Sequence, residues 1–248
     1  MQKISIILAT WNRGDLLHIP IESCINQTYT NWELLVMDDA STDNTEKIVK
    51  SYKDKRIKYF KLPKQDYYTH VRNKGIDESK GDLITFRDSD GGWEETFLEE
   101  LAKPHRNEDV LVTYCGRKVY QGVNLSEISY KDISTLKPTV TVKPKIYSGL
   151  ESVSNYIDVG DMMVKKSVFR DDFTGFSKDK DRAGYCSDAL LIDTIEKYNP
   201  LGRFVKIDKP LHYYFYKHDG KTENMTDTKL RYRSEGKVNN ELEEVWNF

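Results

Sequence analysis

The stretch LITFRDSDGGWEE, residues 83–95, joins an apolar segment to two aspartates and two glycines. The apolar part is typical of a buried strand, and residues i and i+2 of a strand point the same way, so Asp88 and Asp90 converge. Two carboxylates this close repel one another unless a positive group lies between them. Gly91 and Gly92 allow the backbone to turn directly afterwards. The stretch therefore predicts a strand that ends in an anionic site.

The chemistry of this pair favours a hard divalent cation. Carboxylate oxygens are the ligands that Mg²⁺ and Mn²⁺ prefer, and no cysteine lies near Asp88 or Asp90. An acidic surface turn is the alternative from the triplet alone, because aspartates with this spacing are common. A calcium loop of EF-hand type fails on spacing, since Gly92 and Trp93 would fall where a ligand and a glycine are needed.

Strand and helix patterns alternate along the chain up to this stretch. Strands are predicted over residues 3–9, 32–38, 57–62 and 82–87. Helices are predicted between them, around 17–25, after Asp43 and near 70–79. This alternation is typical of a doubly wound, mostly parallel α/β sheet. Ligands of such sheets bind outside the carboxyl ends of the strands, which here read TWNR (10–13), DDAST (38–42) and RDSDGG (87–92).

The second half of the chain is less regular. Strands are predicted at 109–119, 203–208 and 210–217, a helix at 187–198 and a further helix within 228–246. No internal repeat or low-complexity linker separates the two halves, which favours a single domain.

Composition and charge narrow the class of protein. The 38 basic and 40 acidic residues give a net charge of −2, which argues against a nucleic-acid partner. Three widely spaced cysteines provide neither a disulfide framework nor a zinc spacing, which favours a reducing, cytoplasmic setting. The apolar opening segment, residues 4–9, is too short for a signal peptide or a transmembrane helix, so no transmembrane segment is expected.

Four motifs in order carry a resemblance to a known family. They read SIILATWNR (5–13), ELLVMDDASTDNT (33–45), VRNKGIDESKGD (71–82) and FRDSDG (86–91). Together they resemble the family 2 glycosyltransferases, which are inverting enzymes of GT-A fold that use nucleotide-diphosphate sugars. The resemblance is strong over residues 1 to about 100 and weaker to about 220. It implies a GT-A-type domain over 1–226, with a nucleotide-sugar-binding half (1–107) and an acceptor-binding half (108–226), followed by a helical tail (227–248).

The resemblance assigns a role to the aspartate pair. Asp88 and Asp90 would form the DXD motif, which holds Mn²⁺ or Mg²⁺ against the donor's diphosphate, with Ser89 facing the donor between them. His218, in a late aromatic strand, would be a third metal ligand; a surface histidine is the alternative. Arg87 departs from the family pattern, which usually has an apolar residue there, and would alter the surroundings of the diphosphate.

The nucleotide would lie on residues from the first, second and third motifs. Trp11 stands where the family has an aromatic residue that stacks on the base, with Thr10 and Asn12 beside it; a core tryptophan is the alternative. Asp39 matches the acidic residue that accepts a hydrogen bond from the base, which favours UDP over dTDP or GDP. Arg72 matches the basic residue that faces the base and the diphosphate, although a solvated helix face is also possible.

The catalytic base is expected at the start of the helix in the second half. Asp188, in YCSDALLIDTI (185–195), fits the place from which the family supplies this carboxylate. Ser-Asp before an apolar run is also an ordinary helix start. Asp158, in YIDVGDMM (156–163), is the rival for this role and would otherwise help to bind the acceptor.

The predicted activity is metal-dependent, inverting transfer of a sugar from a UDP-sugar to a hydroxyl of a carbohydrate or glycoconjugate, in surface polysaccharide or glycoconjugate synthesis. Peripheral association with a membrane is compatible with this activity. A sugar-nucleotide pyrophosphorylase is a second hypothesis, but it needs a glycine-rich basic loop that TWNRGDLL (10–17) does not provide. A non-catalytic carbohydrate- or nucleotide-binding module is the third.

Overall fold

The computed structural model describes residues 1–64, 69–143, 158–169, 175–176, 187–199 and 201–216. For residues 187–190, 193 and 216 the description is limited to the backbone. The predicted helix within 228–246 therefore lies outside the described residues.

Strands and helices alternate through the first hundred residues. The strands are β1 (Ile4–Thr10), β2 (Trp32–Asp39), β3 (Ile57–Leu62), β4 (Leu83–Asp88), β5 (Gly91–Trp93), β6 (Val110–Gln121), β7 (Val140–Val142), β8 (Met162–Lys165) and β9 (Arg203–Tyr216). The helices are α1 (His18–Ile25), α2 (Thr45–Ser51), α3 (Thr69–Glu78), α4 (Phe97–Ala102) and α5 (Ser187–Tyr198). The four strands and three helices predicted before residue 88 are confirmed.

All the described strands belong to one sheet. Strands β3, β2, β1 and β4 are neighbours in that order and pair in parallel. Strand β8 then pairs antiparallel with β4, and β6, β9 and β5 follow, with β7 attached to β6. The sheet therefore continues from the first half of the chain into the second without a break.

Strand β1 is buried on both faces, as its continuous apolar run predicts. On one face Ile6 belongs to the apolar cluster that includes α1 and α4. On the other face Ile7 packs with α3 and α5. Both isoleucines are 0% exposed. Helices thus cover the sheet on both sides, which is the doubly wound arrangement that the alternation predicts.

Helix α3 lies directly against β1. A Cβ atom at Gly75 would sit 2.5 Å from Cγ2 of Ile7, so the helix comes this close only because residue 75 lacks a side chain. Asn73 ties the helix to Phe176: its Oδ1 accepts from the Phe176 N–H at 2.7 Å and its Nδ2 donates to the Phe176 carbonyl at 2.9 Å. These contacts fix Arg72, near the start of α3, at the carboxyl edge of the parallel strands.

The two glycines after the aspartate pair do not form the predicted turn. The turn consists of Ser89 and Asp90, and Gly91 begins strand β5, which pairs antiparallel with β9. A Cβ atom at Gly91 would lie 2.2 Å from Nη2 of Arg87 and 2.7 Å from the carbonyl oxygen of Tyr213. The glycine is thus required by close packing within the sheet rather than by a bend of the chain.

The two strands predicted at 203–208 and 210–217 are one strand, β9. It pairs in parallel with β6, and the register shifts where Tyr114 opposes Lys206 and Gly116 opposes Pro210. Proline has no N–H to donate to a neighbouring strand, and for this reason two separate strands were predicted on either side of residue 209. The irregular register accommodates Pro210 instead, so the strand continues to Tyr216.

Candidate active site

The loops that follow β1 and β2 are joined by hydrogen bonds. The Asn12 N–H donates to Oγ of Ser41 at 2.8 Å, and the Thr42 N–H donates to Oδ1 of Asn12 at 2.8 Å. Asn12 adopts a left-handed backbone conformation with φ 49°, which asparagine tolerates better than most residues. This geometry turns Trp11 outward, and its side chain is 53% exposed. The alternative of a core tryptophan is therefore wrong.

The neighbouring aspartates at the end of β2 have different surroundings. Asp38 is 0% exposed and accepts hydrogen bonds from the Ser41 N–H at 2.9 Å and from the Tyr59 hydroxyl, so it fixes the turn after the strand. Asp39 lies on the other side of the strand, where Nζ of Lys64 donates to its Oδ2. Only Asp39 is placed to meet a ligand beside Trp11.

Lys64 and His70 complete the surroundings of Asp39, and sequence reasoning missed both. The Lys64 ammonium lies over one face of the Trp11 ring, 4.1 Å from its centre. Nε2 of His70 lies 3.1 Å from Oδ1 of Asp39. Lys64 follows β3 and His70 begins α3, so no pattern along the sequence connects them with Asp39. The carboxylate that was predicted to bind the base is thus already in contact with the Lys64 ammonium and the His70 imidazole.

Arginine side chains neutralise the aspartate pair. Nη2 of Arg72 lies 2.7 Å from Oδ1 of Asp88, and Nη1 of Arg13 lies 3.5 Å from Oδ2 of Asp90. The two carboxylates are 34% and 31% exposed, so both are open to solvent on one side. Arg72 is 8% exposed, which excludes the alternative of a solvated helix face. Arg13, the last residue of the TWNR strand end, was missed.

Two predicted donor-binding residues lie within this edge of the sheet. Thr10 and Ser89 are 4% and 9% exposed. Oγ1 of Thr10 has no hydrogen-bond partner within the described part of the chain. An unpaired buried hydroxyl is unfavourable, so a polar group of a ligand or a water would stabilise it.

The second half of the chain meets the aspartate pair through Tyr214. This residue pairs with Gly91 across β9 and β5. Burial raises the pKa of the Tyr214 phenol, and the carboxylates of Asp90, Asp158 and Asp88 raise it further. The charges of three carboxylates from two distant parts of the chain therefore act on one phenol.

A buried network holds Asp158 in place. Its Oδ1 accepts from the Gly160 N–H at 2.9 Å, and its Oδ2 lies 3.2 Å from Nη1 of Arg117. Arg117 also pairs with Asp161 at 2.5 Å, and Asp161 binds Nδ1 of His212 at 2.6 Å. Burial would raise the pKa of Asp161, but Arg117 and His212 outweigh it, so the pKa lies below its ordinary value. Both oxygens of Asp158 are thus already engaged by the protein.

Arg87 points away from the predicted diphosphate site. Its side chain is 1% exposed, and its Nε donates to the Asp88 carbonyl at 3.0 Å. Its guanidinium lies 5.2 Å from the centre of the Trp93 ring, in the interior. The expectation that Arg87 alters the surroundings of the diphosphate is therefore wrong. Arg87 instead stabilises the turn that carries the aspartates.

The family model for glycosyl transferase family 2 matches residues 5–174. The chain belongs to glycosyltransferase family 2. The resemblance carried by the four motifs is confirmed.

Named relatives and solved structures agree with this family. WfgD of Escherichia coli, a UDP-Glc:alpha-D-GlcNAc-diphosphoundecaprenol beta-1,3-glucosyltransferase, is 38% identical over 136 residues, 55% of this chain and 53% of that protein. The match thus spans about half of that relative's own length. TarS 1–349 of S. aureus in complex with UDP-GlcNAc matches with a TM-score of 0.65 at 20% identity, covering 90% of this chain and 60% of that one. The mannosyltransferase PcManGT of Pyrobaculum calidifontis, with GDP-Man and Mn²⁺, matches with a TM-score of 0.62 at 15% identity, covering 87% and 56%. At these identities the likeness shows the fold, and it confirms the predicted GT-A-type architecture.

The structure describes Asp188 only in part and does not describe His218. Asp188 is the second residue of α5, so its backbone lies at the helix start where the sequence placed it. Nothing is described of its side chain, and its role stays a prediction. His218 lies outside the described residues.

The described residues contain no group of three or more His, Cys, Asp or Glu side chains that would hold a metal ion. They also include no helix long and apolar enough to cross a membrane. Asp88 and Asp90 are partly exposed and offer oxygen ligands of the type that Mn²⁺ and Mg²⁺ prefer, and their assignment to a metal stays a prediction.

Proposed function

We propose that this family member is a metal-dependent inverting glycosyltransferase that moves a sugar from a UDP-sugar to a hydroxyl group of a carbohydrate or glycoconjugate. The reaction would take place in the cytoplasm, in surface polysaccharide or glycoconjugate synthesis. WfgD, which by its name acts on a diphosphoundecaprenol-linked sugar, supports an acceptor of lipid-linked type.

One observation carries the proposal: an exposed indole and a carboxylate lie together at the carboxyl edge of the sheet. Trp11 offers a flat apolar face for a base, and Asp39 offers an acceptor for an N–H of that base. Uracil presents an N3–H to such an acceptor, whereas adenine and cytosine present a ring nitrogen without a proton. Asp88 and Asp90 are at the end of β4, on the far side of β1 from β2, where a diphosphate attached to that nucleoside would reach them.

Different residues of the chain have different roles in an inverting transfer. An acceptor hydroxyl attacks the anomeric carbon, the bond from that carbon to the diphosphate oxygen breaks, and UDP leaves. Asp188 takes the proton of the attacking hydroxyl. Arg72 and Arg13 bring positive charge to the diphosphate side of the site. Asp158, which the Gly160 N–H and Arg117 hold in place, positions the acceptor, and Asp188 is left as the base.

Asp88 and Asp90, with His218 as the predicted third ligand, would hold the divalent ion. When bound, such an ion neutralises the charge that develops on the leaving diphosphate. The mannosyltransferase that contains Mn²⁺ supports this ion for the fold.

The loop after β1 disfavours the pyrophosphorylase hypothesis. A phosphate-cradling loop needs several free backbone N–H groups. Here the Gly14 N–H donates to Oδ2 of Asp43 at 3.0 Å, and the Asn12 N–H donates to Ser41. These donors hold the loop in shape and are not available to a triphosphate.

Release of UDP tests the function directly. The protein with Mn²⁺ and a panel of UDP-sugars should release UDP slowly by hydrolysis, and faster once a suitable acceptor is supplied. A non-catalytic binding module would bind UDP and release none from any UDP-sugar. Equal affinity for ADP and UDP by calorimetry would contradict the assignment of Asp39 to the base.

Lys64 should act as a competitor of the base, because its ammonium occupies the Trp11 face and the Asp39 carboxylate. We expect Lys64→Ala to bind uridine up to about fivefold more tightly, which corresponds to losing one partly exposed ion pair of up to about 1 kcal/mol. Uridine is the probe because it is neutral, so the lost charge of Lys64 does not attract or repel it at long range.

Lys61→Ala is the matched control for this measurement. It removes the same charge from the same strand edge, and Lys61 pairs only loosely with Glu46, at 3.9 Å. Isothermal titration should give it the affinity of the unmodified protein. Weaker uridine binding by Lys64→Ala would mean that the lysine contacts the base instead of competing with it.

A further inference from the structure

Positive charge is concentrated in one segment of the chain, around the edge strand β3. Residues 47–64 include one acidic residue, Asp54, although the whole chain carries −2. The eight basic residues of this segment are Lys47, Lys50, Lys53, Lys55, Arg56, Lys58, Lys61 and Lys64. They lie on α2, on the loop after it and on β3 and its carboxyl end. We call this surface the basic face.

Some cations of the basic face form ion pairs with acidic side chains, and others have no such partner among the described residues. Lys50 pairs with Glu46 at 2.5 Å, Arg56 with Asp54 at 2.6 Å and Lys58 with Glu33 at 2.7 Å. Lys47, Lys53 and Lys55 are exposed and have no acidic partner among the residues that the structure describes. Within the described residues, no acidic side chain therefore neutralises their charge.

Protection of a sheet edge accounts for only part of this charge. Strand β3 is the last strand at its end of the sheet, and lysines on an edge strand prevent pairing with another chain. Lys58 and Lys61 lie on β3 and have this role. Lys47 is on α2, and Lys53 and Lys55 are in the loop, so none of them protects the edge.

The basic face runs along the sheet and ends at the candidate active site. Lys55 precedes β3 and Lys64 follows it, so the face is at least as long as this six-residue strand, about 20 Å. At the carboxyl end Lys64 reaches Asp39 and Trp11. A surface bound along this face would lie beside the mouth of the nucleotide site.

We propose that the basic face docks on an anionic lipid surface. Seven of its eight cations are lysines, whose compact hydrated ammonium groups respond to the diffuse potential of many phosphates. Recognition of individual phosphates is better served by arginine, and Arg56 is engaged by Asp54 and by the Trp32 ring at 3.7 Å. The three uncompensated lysines are spread over a helix and a loop rather than converging on one point. This distribution suits a broad charged surface.

Sedimentation with vesicles tests the proposal on the full chain. The protein should partition onto vesicles of phosphatidylcholine with phosphatidylglycerol and not onto phosphatidylcholine alone, and added salt should release it. Replacing Lys47, Lys53 and Lys55 together by glutamine should lower the partition coefficient roughly a hundredfold, since each lysine near an anionic surface contributes about a factor of five.

A second triple variant tests whether vesicle binding depends on the basic face or only on the net charge of the protein. Lys131, Lys137 and Lys143 are exposed, lie around β7 and have no acidic partner within the described ranges. Strand β7 pairs with β6, five positions along the sheet from β3. Their replacement by glutamine removes the same three charges and should leave the partition coefficient within about threefold. Equal losses for the two triples, or equal binding to neutral and anionic vesicles, would overturn the proposal.

Heparin distinguishes a soluble polyanion from a lipid surface. If the basic-face triple loses heparin binding but keeps vesicle binding, the partner is a soluble polyanion and the proposal is wrong. UDP affinity of both triples serves as the folding control, because none of the six lysines lies in the nucleotide or aspartate sites. The test uses no donor sugar or acceptor, so its failure and failure of the proposed transfer activity are independent results.

Discussion

Replacement of Asp188 by asparagine is expected to reduce sugar transfer by roughly two to four orders of magnitude, the usual contribution of a general base. The amide has the same shape but cannot take the proton of the acceptor hydroxyl. Folding should be preserved, because Asp188 is the second residue of α5 and asparagine is as well tolerated as aspartate at helix starts. UDP affinity should also be unchanged, since the base acts on the acceptor side. Single-turnover kinetics and calorimetry measure the two properties separately.

Asp158→Asn is the matched comparison, because it makes the same change on the rival carboxylate. Asp158 already accepts a hydrogen bond from the Gly160 N–H and pairs with Arg117. We expect its replacement to raise KM for the acceptor more than it lowers kcat, as for a residue that positions a substrate. If Asp158→Asn abolished turnover and Asp188→Asn did not, the roles of the two carboxylates would be reversed.

Replacement of Asp90 by asparagine is expected to remove the effect of Mn²⁺ on UDP binding and to lower transfer by roughly a thousandfold. The loss corresponds to several kcal/mol of charge stabilisation by a metal ion. Without a metal, in EDTA, the variant should bind UDP at least as tightly as the unmodified protein. The reason is that a negative charge next to the diphosphate has been removed and Arg13 has been released. Calorimetry with and without Mn²⁺ gives both values.

Asp208→Asn removes the same charge from an exposed position. Asp208 lies 3.5 Å from Nζ of Lys206 on β9 and has no part in the site. It should leave the Mn²⁺ dependence intact. A full Mn²⁺ effect on UDP affinity in Asp90→Asn would refute the assignment of this aspartate to the metal.

The parallel half of the fold was predictable from local patterns, and so were the long strands β6 and β9, but the short strands β5, β7 and β8 were not. The run ISIILA, residues 4–9, is apolar at successive positions, which is enough to indicate a strand buried on both faces. The three-residue strand β5 has no such pattern, because it exists only by pairing with Tyr214 and its neighbours on β9. Local sequence cannot report a partner more than a hundred residues away.

The same distinction applies to the candidate site. Trp11, Asp39 and Asp88 follow predicted strands, so their meeting at one edge followed from topology. Lys64 and Arg117 could not be found in this way. Lys64 belongs to the unremarkable sequence LPK (62–64) at the end of β3, and Arg117 lies within β6, 41 residues from the Asp158 that it holds. Their roles depend on side-chain contacts that arise only when the strands assemble.

Because Arg87 contacts residue 91, a substitution at either position affects which residues the other position tolerates. The guanidinium fills the space that a side chain at residue 91 would need. Shortening Arg87 would remove one of the two clashes that a side chain at residue 91 makes, but the Tyr213 carbonyl oxygen would still lie 2.7 Å from its Cβ atom. Each substitution is therefore expected to be harmful alone, and the pair is not expected to compensate fully, because the backbone contact with Tyr213 remains. Transplanting this aspartate turn into another protein would therefore require both residues to be moved as a pair.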